Sequence, residues 1–249
     1  MDYGYQLLRH VVQQVFGNLR AAVRLTLLLT LLPSLLLIFT NPAVMTGGVA
    51  APGQMPEVNW GMLVLVGILS VVAWCWAAVG WHRYVLLEEY GNGIVPQWNG
   101  GLIGQYFIAA LIVGLVVLGA AMGVGIVIGI AVAVAPSAFV AGFLGIGLVV
   151  AVLWVSARVG LILPAAAVGR PLRIGESWAV TAPVSGQILL PVLVIAIVGG
   201  VASQVILLAF GPTIIAAILN IGVSWLQLLV NLALMTTLYG NLIEGRQMN

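Results

Sequence analysis

The chain has no lysine. Its eight basic residues are all arginine, and with six carboxylates the charged residues make up 6% of the 249. A water-soluble domain carries about a quarter charged residues, so a soluble globular fold is excluded. The formal net charge of +2 is too small to point to nucleic acid as a partner. There is one cysteine, Cys75, inside an apolar run; it can close no internal disulfide and says nothing about redox compartment. The histidines are His10 and His82, and neither has ligand spacing to a partner. Metal centres draw on clusters of His, Cys, Asp or Glu, so no metal is expected, and bis-histidine haem ligation has no support either. No cofactor is expected.

Catalytic motifs are equally scarce. There is no G-x-S-x-G, H-E-x-x-H or P-loop. Phosphodiester hydrolysis needs carboxylates and histidines gathered around a cation, and that constellation is missing. Glu88 and Glu89 are adjacent, point to different sides of a helix, and read as a solvated edge. Ion-coupled transport usually shows an Asp or Glu embedded at mid-depth in the membrane, and no apolar run carries one. These absences argue against an enzyme.

What the chain has is apolar length: 63% of residues are hydrophobic. Long uncharged runs without strand alternation define a polytopic α-helical membrane protein and exclude an outer-membrane barrel. Six stretches, near 21–40, 60–81, 105–133, 138–163, 187–210 and 213–240, each reach the roughly 20 residues that cross a bilayer. The third is longer than it needs to be, so it must tilt, kink or begin as an interfacial piece. Pro33, Pro136, Pro164, Pro191 and Pro212 mark kinks or ends. Residues 25–40 followed by "GGVAA" (47–51) imitate a secretory leader. The amphipathic segment ahead of them argues for a retained span instead.

Arginine sets the orientation. Arg9, Arg20 and Arg24 precede span one, Arg83 follows span two, Arg158, Arg170 and Arg173 lie around the end of span four, and Arg246 follows span six. Six spans put all eight on one side, expected to be cytoplasmic, with both termini there. The opposite connections (41–59, the turn near 135–137, and 211–212) carry no arginine and one carboxylate, Glu57. Exclusive use of arginine, with abundant Ala, Gly and Val, hints at a GC-rich bacterial genome and hence a bacterial inner membrane.

Each odd span follows a distinct segment. Residues 1–20 place Leu7, Leu8, Val11, Val12, Val15, Phe16 and Leu19 on one helical stripe, with Arg9, Gln13, Gln14 and Arg20 mostly off it. That predicts an amphipathic helix at the interface. Residues 82–101 and 169–186 precede spans three and five, the latter with Trp178 on its apolar side. The chain thus reads as three parallel hairpins, each with an interfacial segment ahead of it, either as a repeat or because any hairpin needs a linker. Gly119, Gly123, Gly125 and Gly129 in span three, and Gly142, Gly145 and Gly147 in span four, offer small faces for close helix packing. Asn220, Gln227 and Asn231 share a face of span six, and Gln204 in span five can meet it. Amides at that depth are expected to join helices, or else to line a substrate path.

Arg158 sits one to two turns inside span four. It is expected to snorkel to the headgroups as an interface anchor, or to pair with Glu88, Glu89, a helix C-terminal carbonyl or a lipid phosphate. Arg170 and Arg173 are further headgroup or ion-pair candidates. The run Arg158, Leu161, Pro164, followed by "ESWAVT" (176–181) and Gly186, and the N-terminal helix ending at Gly17-Asn18, resemble a bacterial integral-membrane family. That family is related to the membrane domain of glycerophosphoryl diester phosphodiesterase. The resemblance implies a six-helix bundle; in fused members a separate soluble barrel carries the phosphodiesterase chemistry, and this chain lacks it. The expected function is therefore a non-enzymatic accessory, scaffold or assembly protein, serving another membrane complex or lipid organisation, with membrane lipids as partners. The alternative is a transporter or translocator of small molecules or lipids.

Overall fold

A computed structural model describes residues 2–41, 58–91, 93–134 and 137–248. The stretch that imitates a leader cleavage site, Glu57, Pro136 and most of the turn near 135–137 lie outside the described residues. The described chain is helical. An N-terminal helix α1 (Tyr3–Gly17) precedes α2 (Leu19–Thr40), α3 (Trp60–Leu87), α4 (Gly100–Val134) and α5 (Ala138–Val159). The short α6 (Ile162–Ala167) continues α5, and α7 (Ile174–Thr181) lies before α8 (Leu189–Phe210) and α9 (Ile214–Leu242). Six of these segments are long and apolar enough to cross a membrane: α2, α3, α4, α5 with α6, α8 and α9. Consecutive spans pack against each other: α2 on α3, α4 on α5, and α8 on α9.

The ends of the spans shift for local reasons. α3 runs six residues past the expected residue 81, because Trp81 and His82 are buried in the bundle and Leu86 joins the same core. Arg83 therefore sits on the last turns of α3 and not after it. The helix stops at Glu88, which adopts a left-handed conformation with φ of 53°. α4 is one unbroken helix of 35 residues. At 1.5 Å per residue it is about 52 Å long, far beyond a hydrocarbon core of about 30 Å, so it tilts or projects rather than kinks.

A small hydrophobic cluster of Ile38, Ala217 and Ile221 joins α2 to α9 at one end, and the largest cluster is gathered at the other. Leu7, Val11 and Val15 of α1 meet Trp81 of α3, Leu161, Ile188, and Leu234, Leu238 and Tyr239 of α9. The arginines gather at this end too. Arg246 donates to the carbonyls of Val85 and Leu86 (Nη1 3.3 Å, Nη2 2.6 Å), Arg83 to that of Ala167 (3.4 Å), and Arg24 to those of Gly91 and Gly93. Arg83 also pairs with Glu89 at 2.5 Å, and Glu244 lies between Arg246 (2.7 Å) and Arg170 (3.7 Å). Arg246 and Arg83 thereby close open carbonyls at the C-termini of α3 and α6, where a cation is favoured, and Arg24 holds the connection after α3.

The N-terminal helix is docked on α8 and α9. Its apolar stripe divides: Leu7, Val11 and Val15 are fully buried, whereas Val12, Phe16 and Leu19 are exposed. Tyr3 Oη donates to Asn241 at 2.9 Å, and burial raises the Tyr3 phenol above its usual pKa. Gly4 is required here: a Cβ on it would stand 2.4 Å from the Gln187 carbonyl oxygen.

The glycine faces behave otherwise than expected. A Cβ at Gly119, Gly123, Gly125, Gly129, Gly142, Gly145 or Gly147 would meet nothing within 4 Å. The halves of α4 and α5 farthest from the arginines are bare, with Val134 and Phe139 more than four-fifths exposed. Lipid tails are as apolar as leucine, so such faces need no protein partner in a bilayer. The glycine stripe is not a contact surface in this fold.

Candidate functional site

Arg158 is buried, 4% exposed, although it lies in one of the six spans. Its depth is made possible by α7, which folds back onto the end of α5. Pro171 and the cap at Arg173, whose backbone N–H donates to Glu176 Oε2 at 2.8 Å, start that helix. Arg158 Nε donates to Thr181 Oγ1 at 2.8 Å, and Nη2 donates to the Trp178 carbonyl. The guanidinium carbon lies 4.1 Å from the Trp178 ring centroid and 5.1 Å from that of Trp154, so it is held between two indoles. Ser177 Oγ returns a bond to the Arg158 carbonyl at 2.7 Å, and Trp154 Nε1 reaches the Ser185 carbonyl at 3.1 Å. Of the partners weighed for Arg158, the structure brings it a helix C-terminal carbonyl. Glu89 is taken by Arg83, and Glu88 is an exposed helix cap. Arg173 is exposed, and Arg170 reaches Glu244. The Arg158 cage is a clamp between α5 and α7, with its cation neutralised by dipoles and π faces; it offers no reacting group.

His82, on α3, is fully buried against α9. Its Nδ1 lies 2.7 Å from Thr236 Oγ1. The Thr236 hydroxyl proton goes to the Leu232 carbonyl at 2.6 Å, so His82 donates through Nδ1. Nothing in the residue order pointed to this bond, which joins positions 154 apart.

The four amides do not form one network. Asn220 Nδ2 donates to the Ala216 carbonyl at 3.0 Å and Asn231 Nδ2 to the Gln227 carbonyl at 2.8 Å, each on its own helix. Gln227 packs on Gly199, where an added Cβ would lie 1.6 Å from its Nε2, so this amide does seat α9 on α8. Gln204 and Asn231 are exposed, and Asn220 faces a different environment, a groove.

That groove has a volume of about 1330 Å³ and is half-open, between α2, α3 and α9 with Leu207 of α8 at its edge. It lies at the end opposite the arginines. Thr213, next to the α8–α9 turn, lines its outer end, and Trp74, Trp225 and Leu228 line the end nearer the arginines, its deep end. Along α9 the distance from Thr213 to Leu228 is about 22 Å at 1.5 Å per residue, more than the roughly 15 Å depth of one leaflet. The wall on α2 is irregular. It contains Pro33, and just beyond the deep end five residues, Val23–Leu27, form a π-helical turn. In that turn Thr26 Oγ1 donates to the Ala22 carbonyl at 2.7 Å and accepts from Trp225 Nε1 at 2.8 Å, which ties α9 to α2 and closes the groove below. The lining is chiefly apolar and carries hydroxyls from Thr30, Ser34, Ser70 and Ser224. Sequence reading picked out Asn220 and Pro33, but not the groove that contains them.

No family model, no curated protein and no solved structure matches this chain. Among the described residues no three of His, Cys, Asp and Glu come together as a metal site would require.

Proposed function

We propose that this protein is a non-enzymatic component of a bacterial inner membrane that holds a membrane lipid between α2, α3 and α9, and so organises lipid, alone or for a neighbouring membrane complex. The groove carries this reading. It exceeds the 300–1,000 Å³ typical of small-molecule pockets, it is half-open, and its lining along α9 runs the depth of a leaflet. Its walls offer apolar surface and hydroxyls, with no acid–base pair for chemistry. The arginine end belongs to the cytoplasm by the positive-inside rule, with both termini there; the groove then opens in the outer leaflet of that membrane. The likeness of Arg158, Leu161 and Pro164 to the phosphodiesterase-associated membrane family agrees with a bundle that serves lipid without hydrolysing it.

Translocation of a lipid is the second reading. It is favoured by the π turn and Pro33 in one wall, since such irregularities are where membrane helices rearrange. The Trp225–Thr26 bond stands across that route.

The test is retention of lipid. Protein purified in mild detergent should carry a co-purifying lipid visible by native mass spectrometry. Gly67 lines the groove, and a Cβ there would meet nothing within 4 Å. Gly67→Phe should therefore fill the groove without disturbing the bundle and expel the lipid. Equal lipid occupancy in the two proteins would overturn the proposal.

A further inference from the structure

The hydroxyls of Thr30, Ser34 and Ser70 in the groove are arranged with one polarity. Thr30 Oγ1 donates to the carbonyls of Thr26 and Leu27 (2.9 and 3.1 Å), Ser34 Oγ to that of Thr30 (2.9 Å) and Ser70 Oγ to that of Val66 (2.7 Å). Trp225 gives its N–H to Thr26. Hydroxyls in apolar helices commonly bond back to the carbonyl of the preceding turn, and the consequence here is chemical. Each hydroxyl has one proton and two lone pairs, so these side chains direct their protons into their own helices and leave acceptor lone pairs. Asn220, which bonds back through one Nδ2 proton, presents Oδ1 as a further acceptor and its second Nδ2 proton as a donor, and Trp74 brings an indole N–H to the lining. Ser224 can turn either way. No charged side chain lines the groove among the described residues.

A phosphate would find no cation there, and desolvating an unpaired charge costs far more than a hydrogen bond returns. A head bearing only carbonyls could accept from Trp74 and Asn220 but would leave the lone pairs of Ser34 and Ser70 unmet. The complement of an uncharged groove with these acceptor hydroxyls is an uncharged lipid that donates through a free hydroxyl. We infer that the groove between α2, α3 and α9 selects lipid alcohols of the diacylglycerol class, whose hydroxyl donates to Ser34, Ser70 or Asn220 while the chains lie along the apolar walls. This rests on the reading of the groove as a lipid site and goes further, by naming the head.

The experiment uses the full chain in phosphatidylcholine nanodiscs. Three photoactivatable lipids with the same chains are incorporated in turn: diacylglycerol, its O-methyl ether, and phosphatidic acid. Crosslinked peptides are identified by mass spectrometry. Diacylglycerol should label the groove segments around Ser70 and Asn220 about threefold to tenfold more than the ether, the range one hydrogen bond supplies. Phosphatidic acid should label them least. Asn220→Leu together with Ser34→Ala and Ser70→Ala should erase the preference while total groove labelling persists. If the ether or phosphatidic acid labels the groove as well as diacylglycerol does, the hydroxyl selectivity is wrong and the lipid groove stands. If all three label the outer faces of α4 and α5 but not the groove, the lipid groove itself is wrong.

Discussion

Replacing Arg158 by leucine keeps the bulk of the side chain and removes everything polar about it. Two charge-assisted bonds disappear, to Thr181 Oγ1 and the Trp178 carbonyl; bonds of this kind contribute about 1.5–3 kcal/mol each. The contact with the two indoles adds about 0.5–2 kcal/mol. Against this, leucine escapes the cost of burying a guanidinium, several kcal/mol for an ion taken out of water. The two terms nearly cancel for the residue itself, so the net effect is set by what is left behind. The Trp178 carbonyl loses its cationic partner and keeps only the longer bond from Thr181 Oγ1 at 3.2 Å; a fully unmet buried acceptor would cost about 1–3 kcal/mol. The indole pair, Trp154 and Trp178 at 5.4 Å, loses the group between and beside its rings. Arg158→Leu should therefore destabilise by about 2–4 kcal/mol and loosen α7 first. Lysine keeps the charge but cannot reach Thr181 and the Trp178 carbonyl with one planar fork, so Arg158→Lys should fall between the two. The assay is thermal unfolding in detergent, followed by tryptophan fluorescence and by recovery of monodisperse protein. Two of the eight tryptophans form the cage, so its opening should shift the emission before global unfolding. If Arg158→Leu matches the parent in both midpoint and emission, the clamp contributes nothing and the reasoning fails.

Other consequences are simpler to state. A reporter that is active only outside the cytoplasm, fused after Asn249, should stay silent; strong activity would refute the arginine-based orientation. Cysteine at Val11 should resist a membrane-impermeant thiol reagent and cysteine at Gln13 should react, since the first is fully buried on the bundle and the second is exposed; equal reaction would mean that α1 is not docked. Gly4→Val forces a side chain against the Gln187 carbonyl and should cost about 1–3 kcal/mol as overpacking, read as a lower unfolding midpoint together with new reactivity at position 11.

The spans were legible because hydropathy over twenty residues is a long, redundant signal, and arginine marked one end because eight charges agreed. The amphipathic stripe of α1 was also visible, but it was drawn too wide. Leu7, Val11 and Val15 follow a single seam that faces protein, whereas Val12 and Phe16 lie one position round the helix and are exposed. Sequence offers one class, apolar, for surfaces that face protein and surfaces left to lipid. The same ambiguity explains the glycines of α4 and α5. In water a stripe of small residues must be covered or must be a defect; in a bilayer it is tolerated bare. Arg158 was recognisable as anomalous, yet its partners come from α7, 20 and 23 residues downstream, and their approach depends on a fold-back that periodicity does not encode.

The two ends of the bundle differ in a way that bears on function. At the arginine end, α1 and α7 wrap the helix termini, guanidiniums cap carbonyls, and the packed residues are fully buried. At the opposite end α4 and α5 stand clear, and α2, α3 and α9 part around the groove. Rigidity concentrates where contacts and hydrogen bonds are dense, and the arginine end has the larger share of both. The groove end is held by the smaller cluster of Ile38, Ala217 and Ile221 and by the bond from the Asn59 N–H to Asn41 Oδ1 at 2.8 Å. The two ends meet where α2 abandons α-helical spacing at Val23–Leu27, and where the Trp225–Thr26 bond crosses from α9. On the proposed lipid reading, the groove walls above this bond adjust to the lipid while the base below holds them in register. The groove's chemistry supports the same division. Its hydroxyls bond back to their own helices and not across the gap, so separating the walls breaks none of those bonds.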